Sequence, residues 1–77
     1  MRIRLYGRLA DAIGPEIEVD PAEASVGAIR RQLASDHPGA AQALARSRAV
    51  IGAVAVADDA TVGESDALEF LPPVSGG

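Results

Sequence analysis

Two stretches of alternating polarity open this chain, two apolar stretches close it, and a single long run of helical spacing stands between them. That order is the strongest constraint on the fold. In the first stretch Ile3 and Leu5 share one side while Arg2, Arg4 and Tyr6 share the other, the period of a strand with one covered face. Gly7 reads as a bulge or a close approach. Glu16-Ile17-Glu18-Val19 alternates again, with Ile17 and Val19 inward. Between them, Leu9 to Pro15 reads as a short turn. So brief a link predicts that the first two strands pair antiparallel.

Asp20-Pro21-Ala22-Glu23-Ala24 breaks the pattern, and Ser25 is placed to cap a helix. Val26, Ile29 and Leu33 recur at helical spacing, which puts Arg30, Arg31 and Gln32 on the wet side. Gly27 weakens the first turn by up to about 1 kcal/mol. Asp36-His37-Pro38-Gly39 ends the helix, since the residue before a proline resists the α region. Ala40 to Arg48 reads as a second short helix. Ala49 to Ala57 is apolar nearly throughout and reads as a strand starting near Ala53 or a little earlier. Asp58-Asp59 and Glu64-Ser65-Asp66 are turns, with Val62 a tether between them. Ala67 to Leu71 is the last strand, with Leu68 and Phe70 on one face and Glu69 on the other.

A chain of 77 residues is one domain, and one this small buries only about 60 % of its unfolded surface. One sheet with one helical face is the economical layering. The long helix must carry the chain across the sheet, and the first and last strands then lie side by side and parallel at its centre. This is the α+β arrangement called the β-grasp, or ubiquitin-like, fold: a mixed sheet covered on one face by a helix. The domain is expected over residues 1–71, with residues 72–77 as a C-terminal tail.

Charge and composition narrow the function. All seven basic residues are arginines, none beyond Arg48, and the later acids Asp58, Asp59, Glu64, Asp66 and Glu69 have no base beside them. The net charge is −4. That argues against nucleic acid, which needs a basic footprint. It points to a protein partner with a basic rim. No cysteine is present, which removes disulfides, thiol nucleophiles and thiolate metal sites, and no metal site is expected. The lone His37 reads as a cap or surface residue. No stretch approaches the ~20 apolar residues of a membrane span. No membrane association is expected, and a cytoplasmic location is the default.

The last eight residues, Phe70-Leu71-Pro72-Pro73-Val74-Ser75-Gly76-Gly77, carry the functional signal. Pro72 and Pro73 stiffen the exit from the body. Ser75, Gly76 and Gly77 have almost no bulk, so a backbone without Cβ atoms can thread a narrow channel. The pattern describes a flexible diglycine arm with a carboxylate at its tip, a substrate handle for another protein.

This ending resembles the signature end of the small subunit of molybdopterin synthase, within the ubiquitin-like sulfur-carrier family. Ile3-Arg4-Leu5-Tyr6, Ser25-Val26 and Asp66-Ala67-Leu68 extend the likeness over the chain. The sequence departs from that family at Ala10-Asp11 and Ala57-Asp58-Asp59. The resemblance implies no bound cofactor and no catalysis by this chain alone. An E1-like adenylyltransferase would use ATP to make the Gly77 acyl-adenylate, and a sulfur donor protein would convert it to a thiocarboxylate. This end would enter the molybdopterin synthase large subunit and give its sulfur to a pyranopterin precursor of the molybdenum cofactor. Pro72, Pro73, Val74, Ser75 and Gly76 would provide passage, and Leu71 and Phe70 partner contact, Phe70 being equally suited to the core. The alternatives are a sulfur carrier for thiamine or cysteine synthesis, a ubiquitin-like modifier joined to target lysines, and a non-catalytic binding module.

Overall fold

A computed structural model describes residues 1–20, 25–63 and 65–72. It contains β1 (Arg2–Leu5), α1 (Arg8–Ile13), β2 (Glu16–Glu18), α2 (Val26–Asp36), a 3-10 turn (Pro38–Ala40), α3 (Ala41–Arg46), β3 (Arg48–Ile51), β4 (Val54–Val56) and β5 (Leu68–Leu71). Among the described residues the strands form one sheet in the order β2-β1-β5-β3-β4. β1 and β5 are parallel neighbours, in register Ile3 to Leu68 and Leu5 to Phe70. β1 pairs antiparallel with β2, and β3 pairs antiparallel with both β4 and β5. This is a mixed β-grasp sheet with helices over one face, and its central strand leads to the C-terminus.

Two segments differ from the sequence reading. Leu9 to Pro15 contains most of the six-residue helix α1 rather than a simple turn. It buries Leu9 alone, so no apolar period announces it. The apolar run from Ala49 to Ala57 is a hairpin, not one strand. Gly52 and Ala53 turn with φ of 55° and 68°, the positive values whose twist suits a two-residue β-hairpin loop.

The core lies between the sheet and the helices. Ile3, Leu5, Leu68 and Phe70 project from the central strands onto Val26, Ile29 and Leu33 of α2, with Leu9, Leu44 and Val62 closing the ends. Ser25 caps α2 by accepting a hydrogen bond from the Ala28 amide at 3.2 Å. Gly27 is a close approach: its amide donates to the Asp58 carbonyl at 2.8 Å, and a Cβ there would lie 3.2 Å from that same carbonyl oxygen.

Arg30 is not on the wet side. Its side chain is only 14 % exposed. It donates to the carbonyls of Leu44 and Ser47 and to Ser47 Oγ, pairs with Asp58 at 2.9 Å, and lies 5.1 Å from the Phe70 ring centroid. One guanidinium thus joins α2 to the end of α3, the turn after β4 and the strand that bears the tail.

Candidate functional site at the base of the C-terminal tail

The site is built from β5 outward. β5 has a hydrogen-bonded neighbour on each side, β1 and β3. Leu68 and Phe70 face inward and are buried; Glu69 and Leu71 face the uncovered side. Phe70 therefore sits in the core, under the Arg30 guanidinium, and Leu71 is the half-buried apolar residue of the pair. Pro72 is exposed and ends the described part of this segment. The expected tail residues Pro73, Val74, Ser75, Gly76 and Gly77 lie outside the described residues.

Pro72 packs on Gly7, the residue that links β1 to α1. Gly7 has φ 59° and ψ −132°, a conformation open to glycine and strained for L side chains. A Cβ at Gly7 would also stand 3.0 Å from Pro72 Cγ. Glycine is required here twice, for the turn and for the contact. The β1–α1 turn thus forms the surface against which Pro72 rests. The sequence marks Gly7 as a bulge or a close approach; its contact with Pro72 shows only once β1 and β5 are paired.

The uncovered sheet face carries a charged ladder. Arg4 is flanked by Glu16 on β2 and Glu69 on β5, and Arg2 lies between Glu16 and Glu18. These groups are exposed, so solvent screens each pair and it adds little to stability. The Tyr6 hydroxyl donates to Glu69 Oε2. That hydrogen bond is the main reason the phenol titrates above its ordinary value, while its bond to Tyr6 and the Glu16 carboxylate raise Arg4. Leu71 and Val50 interrupt the ladder with apolar surface, Leu71 opposite Arg48.

On the helical side a recess of about 700 Å³ opens between α1 and α3, with Pro72 in its wall. Arg8 and Arg46 line it, and among the described residues its lining includes no acid. Nothing in the sequence signals it, because α1 itself is not legible there. His37 caps the end of α2, its amide donating to the Leu33 carbonyl at 2.8 Å. Among the described residues no group of three or more His, Cys, Asp or Glu could hold a metal ion, and no helix is long and apolar enough to cross a membrane.

A β-grasp domain whose central strand feeds a Pro-Pro-Val-Ser-Gly-Gly end belongs to the class of small ubiquitin-like carriers. Residues 3–77 match the ThiS family, and the chain is a member of that family. The crystal structure of SAMP1 from Haloferax volcanii is similar, with TM-score 0.72 and 25 % identity over 99 % of this chain and 97 % of that one. A putative molybdopterin converting factor subunit 1 from Pyrococcus furiosus superposes with TM-score 0.80 at 18 % identity, covering 95 % of each chain. In a complex of subunits 1 and 2 of the molybdopterin-converting factor from Helicobacter pylori, one chain matches with TM-score 0.69 at 16 % identity, over 99 % of this chain and 96 % of that one. At these two lower identities the likeness is one of fold. A comparison with curated proteins found no match.

Proposed function

We propose that this protein is a carrier that works through activation of Gly77 and does no chemistry alone. One observation carries the reading. The family match runs to residue 77, and the strand leading there is the central one, held on both edges. A partner can then act on the end without unfolding the domain.

A carboxylate is a poor electrophile. In the proposed sequence a Gly77 carboxylate oxygen attacks the α-phosphorus of ATP on an adenylating enzyme, and pyrophosphate leaves. The acyl-adenylate has AMP as a good leaving group. Sulfide displaces it directly, or the terminal sulfur of a donor's persulfide does so and a thiol then reduces the resulting disulfide link. Either route leaves a Gly77 thiocarboxylate. Pro72 and Pro73 lower the entropy lost when the end is ordered, and Gly76 gives passage.

The same acyl-adenylate serves a second use. The likeness to SAMP1, at 25 % identity over 99 % of the chain, favours transfer of Gly77 to amines of other proteins, as for a small archaeal modifier protein. Having no lysine in these 77 residues, the chain offers no lysine side chain for linking copies of itself. Donation of sulfur to a pyranopterin on a molybdopterin synthase large subunit is the narrower proposal. It is supported by the Phe70–Gly77 pattern and by the fold shared with the molybdopterin-converting factor subunits.

The missing cysteine gives a direct test. The protein is purified from its host under non-oxidising conditions, treated with a thiol-alkylating reagent and weighed intact. An adduct that disappears on removal of Gly77 places sulfur at the C-terminus. Host proteins heavier by one whole chain, again dependent on Gly77, show the modifier use. Neither signal, even after incubation with ATP, a sulfur donor and the host's adenylating enzymes, overturns the carrier reading.

A further inference from the structure

We infer that the recess between α1 and α3 is a docking surface for an acidic, partly apolar segment of the enzyme that activates the tail, an inference that rests on the carrier reading. Its floor is apolar, formed by Leu9, Ala12, Ala40 and Ala43. Its two charged lining residues are both arginines, Arg8 and Arg46. In a chain of net charge −4 this is a local inversion of sign.

The ion pairs of the fold do not account for these two residues. Among the described residues Arg2, Arg4 and Arg30 each have a carboxylate within 4.0 Å, and no such pair involves Arg8 or Arg46. Arg8 also stands in the first turn of α1, where the positive helix end disfavours a cation. Helix stability therefore does not explain Arg8, whereas Arg46, in the last turn of α3, stands where a helix end favours a cation.

Position names the partner. Pro72 is both a wall of the recess and the first residue of the tail segment, and its contact with Gly7 joins the two. Gly77 is five residues from Pro72, so an enzyme that acts on it works within about 18 Å of this wall, the reach of five extended residues. A carboxylate of that enzyme entering beside Arg8 and Arg46 would help to set the docked orientation, as charge complementarity commonly does.

The test is the kinetics of carrier adenylation by the host's activating enzyme, read as pyrophosphate release. Arg8→Gln/Arg46→Gln is compared with Arg2→Gln/Arg31→Gln, which changes net charge equally. Arg8→Glu/Arg46→Glu provides the larger perturbation, and thermal melts establish that each variant is folded. The recess variants are expected to raise KM for the carrier about tenfold or more while kcat stays within about twofold, because lost surface complementarity weakens encounter rather than chemistry. Added salt should weaken the wild type more than the recess variants. Equal KM values for both neutralised pairs and for the reversed pair overturn the docking surface and leave the carrier reading standing. A wild-type protein that no activating enzyme adenylates overturns both.

Discussion

Replacing Arg30 by methionine removes the guanidinium but keeps most of the aliphatic stem, so the change isolates the polar head. The structure permits an estimate of the cost. The Leu44 carbonyl keeps bonds from the Ser47 amide at 3.1 Å and Ser47 Oγ at 2.7 Å, but the Ser47 carbonyl loses its charged donor at 3.0 Å. A buried polar group deprived of a partner costs about 1–3 kcal/mol. Loss of the cation over Phe70 adds about 0.5–2 kcal/mol. The bridge to Asp58 adds at most about 1 kcal/mol, because that carboxylate is 59 % exposed. Allowing for overlap, Arg30→Met should cost about 2–4 kcal/mol, out of roughly 4–12 kcal/mol for a domain of this length. At about 4–8 °C per kcal/mol the melting temperature falls by on the order of 10–25 °C. Urea denaturation followed by circular dichroism measures this, with Arg30→Lys and Asp58→Asn as companions. Lysine brings one point charge that cannot replace a fork of donors, so it should recover only part of the loss. A loss under about 1 kcal/mol for Arg30→Met, or an equal loss for Asp58→Asn, would refute the network and reduce Arg30 to a surface ion pair.

Three further substitutions test separate parts of the account. Gly27→Ala improves helix propensity by about 1 kcal/mol. Its Cβ would nevertheless meet the Asp58 carbonyl at 3.2 Å, so a net loss of about 1–2 kcal/mol is expected; a higher urea midpoint than wild type would show that the loop yields freely. Tyr6 is the only tyrosine in a chain without lysine or cysteine, so it is the one side chain whose ordinary value lies between those of histidine and arginine. Its raised folded value means that the native state holds the phenolic proton more tightly. The associated stability is complete below the unfolded value of about 10 and is lost as pH rises through the folded value. Absorbance titration should show the raised midpoint, Glu69→Gln should lower it, and Tyr6→Phe should remove the alkaline fall in stability. Gly76→Val should abolish transfer of sulfur from the C-terminus with an unchanged melt, and wild-type transfer would sink the argument for passage through a narrow channel.

How much of the structure is legible in the sequence depends on how local the cause is. Ser25 is a cap in sequence and in structure because its hydroxyl acts three residues away. Ile3, Leu5, Leu68 and Phe70 are legible because strand parity is a short-range pattern, and their pairing comes from topology. The hairpin of β3 and β4 is hidden because its turn is Gly52-Ala53, not the Asn-Gly or Asp-Gly that announces such loops. Arg30 escapes the sequence pattern because helical phase locates a Cα, whereas a long side chain can reach round the helix edge to carbonyls in another element. The tail is readable as a motif; the Gly7–Pro72 contact and the recess beside it are not, since they join segments from opposite ends of the chain.

The position of β5 suits so small a domain to the carrier role proposed for it. An edge strand has one ladder and can be peeled; β5 has two, one parallel and one antiparallel. Below it, Phe70 is fully buried and bridged through Arg30 to α2 and α3. Beyond it, Pro72 rests on a glycine that admits no other side chain without strain. A pull or a rotation applied by a partner at Pro72 is therefore resisted by the whole sheet and by the core under it. A partner that handled the end, as proposed above, could direct its binding energy there rather than into holding the domain together. Every hydrogen-bonded neighbour of the central strand belongs to the scaffold, while the chemistry proposed for Gly77 belongs to whatever enzyme receives it.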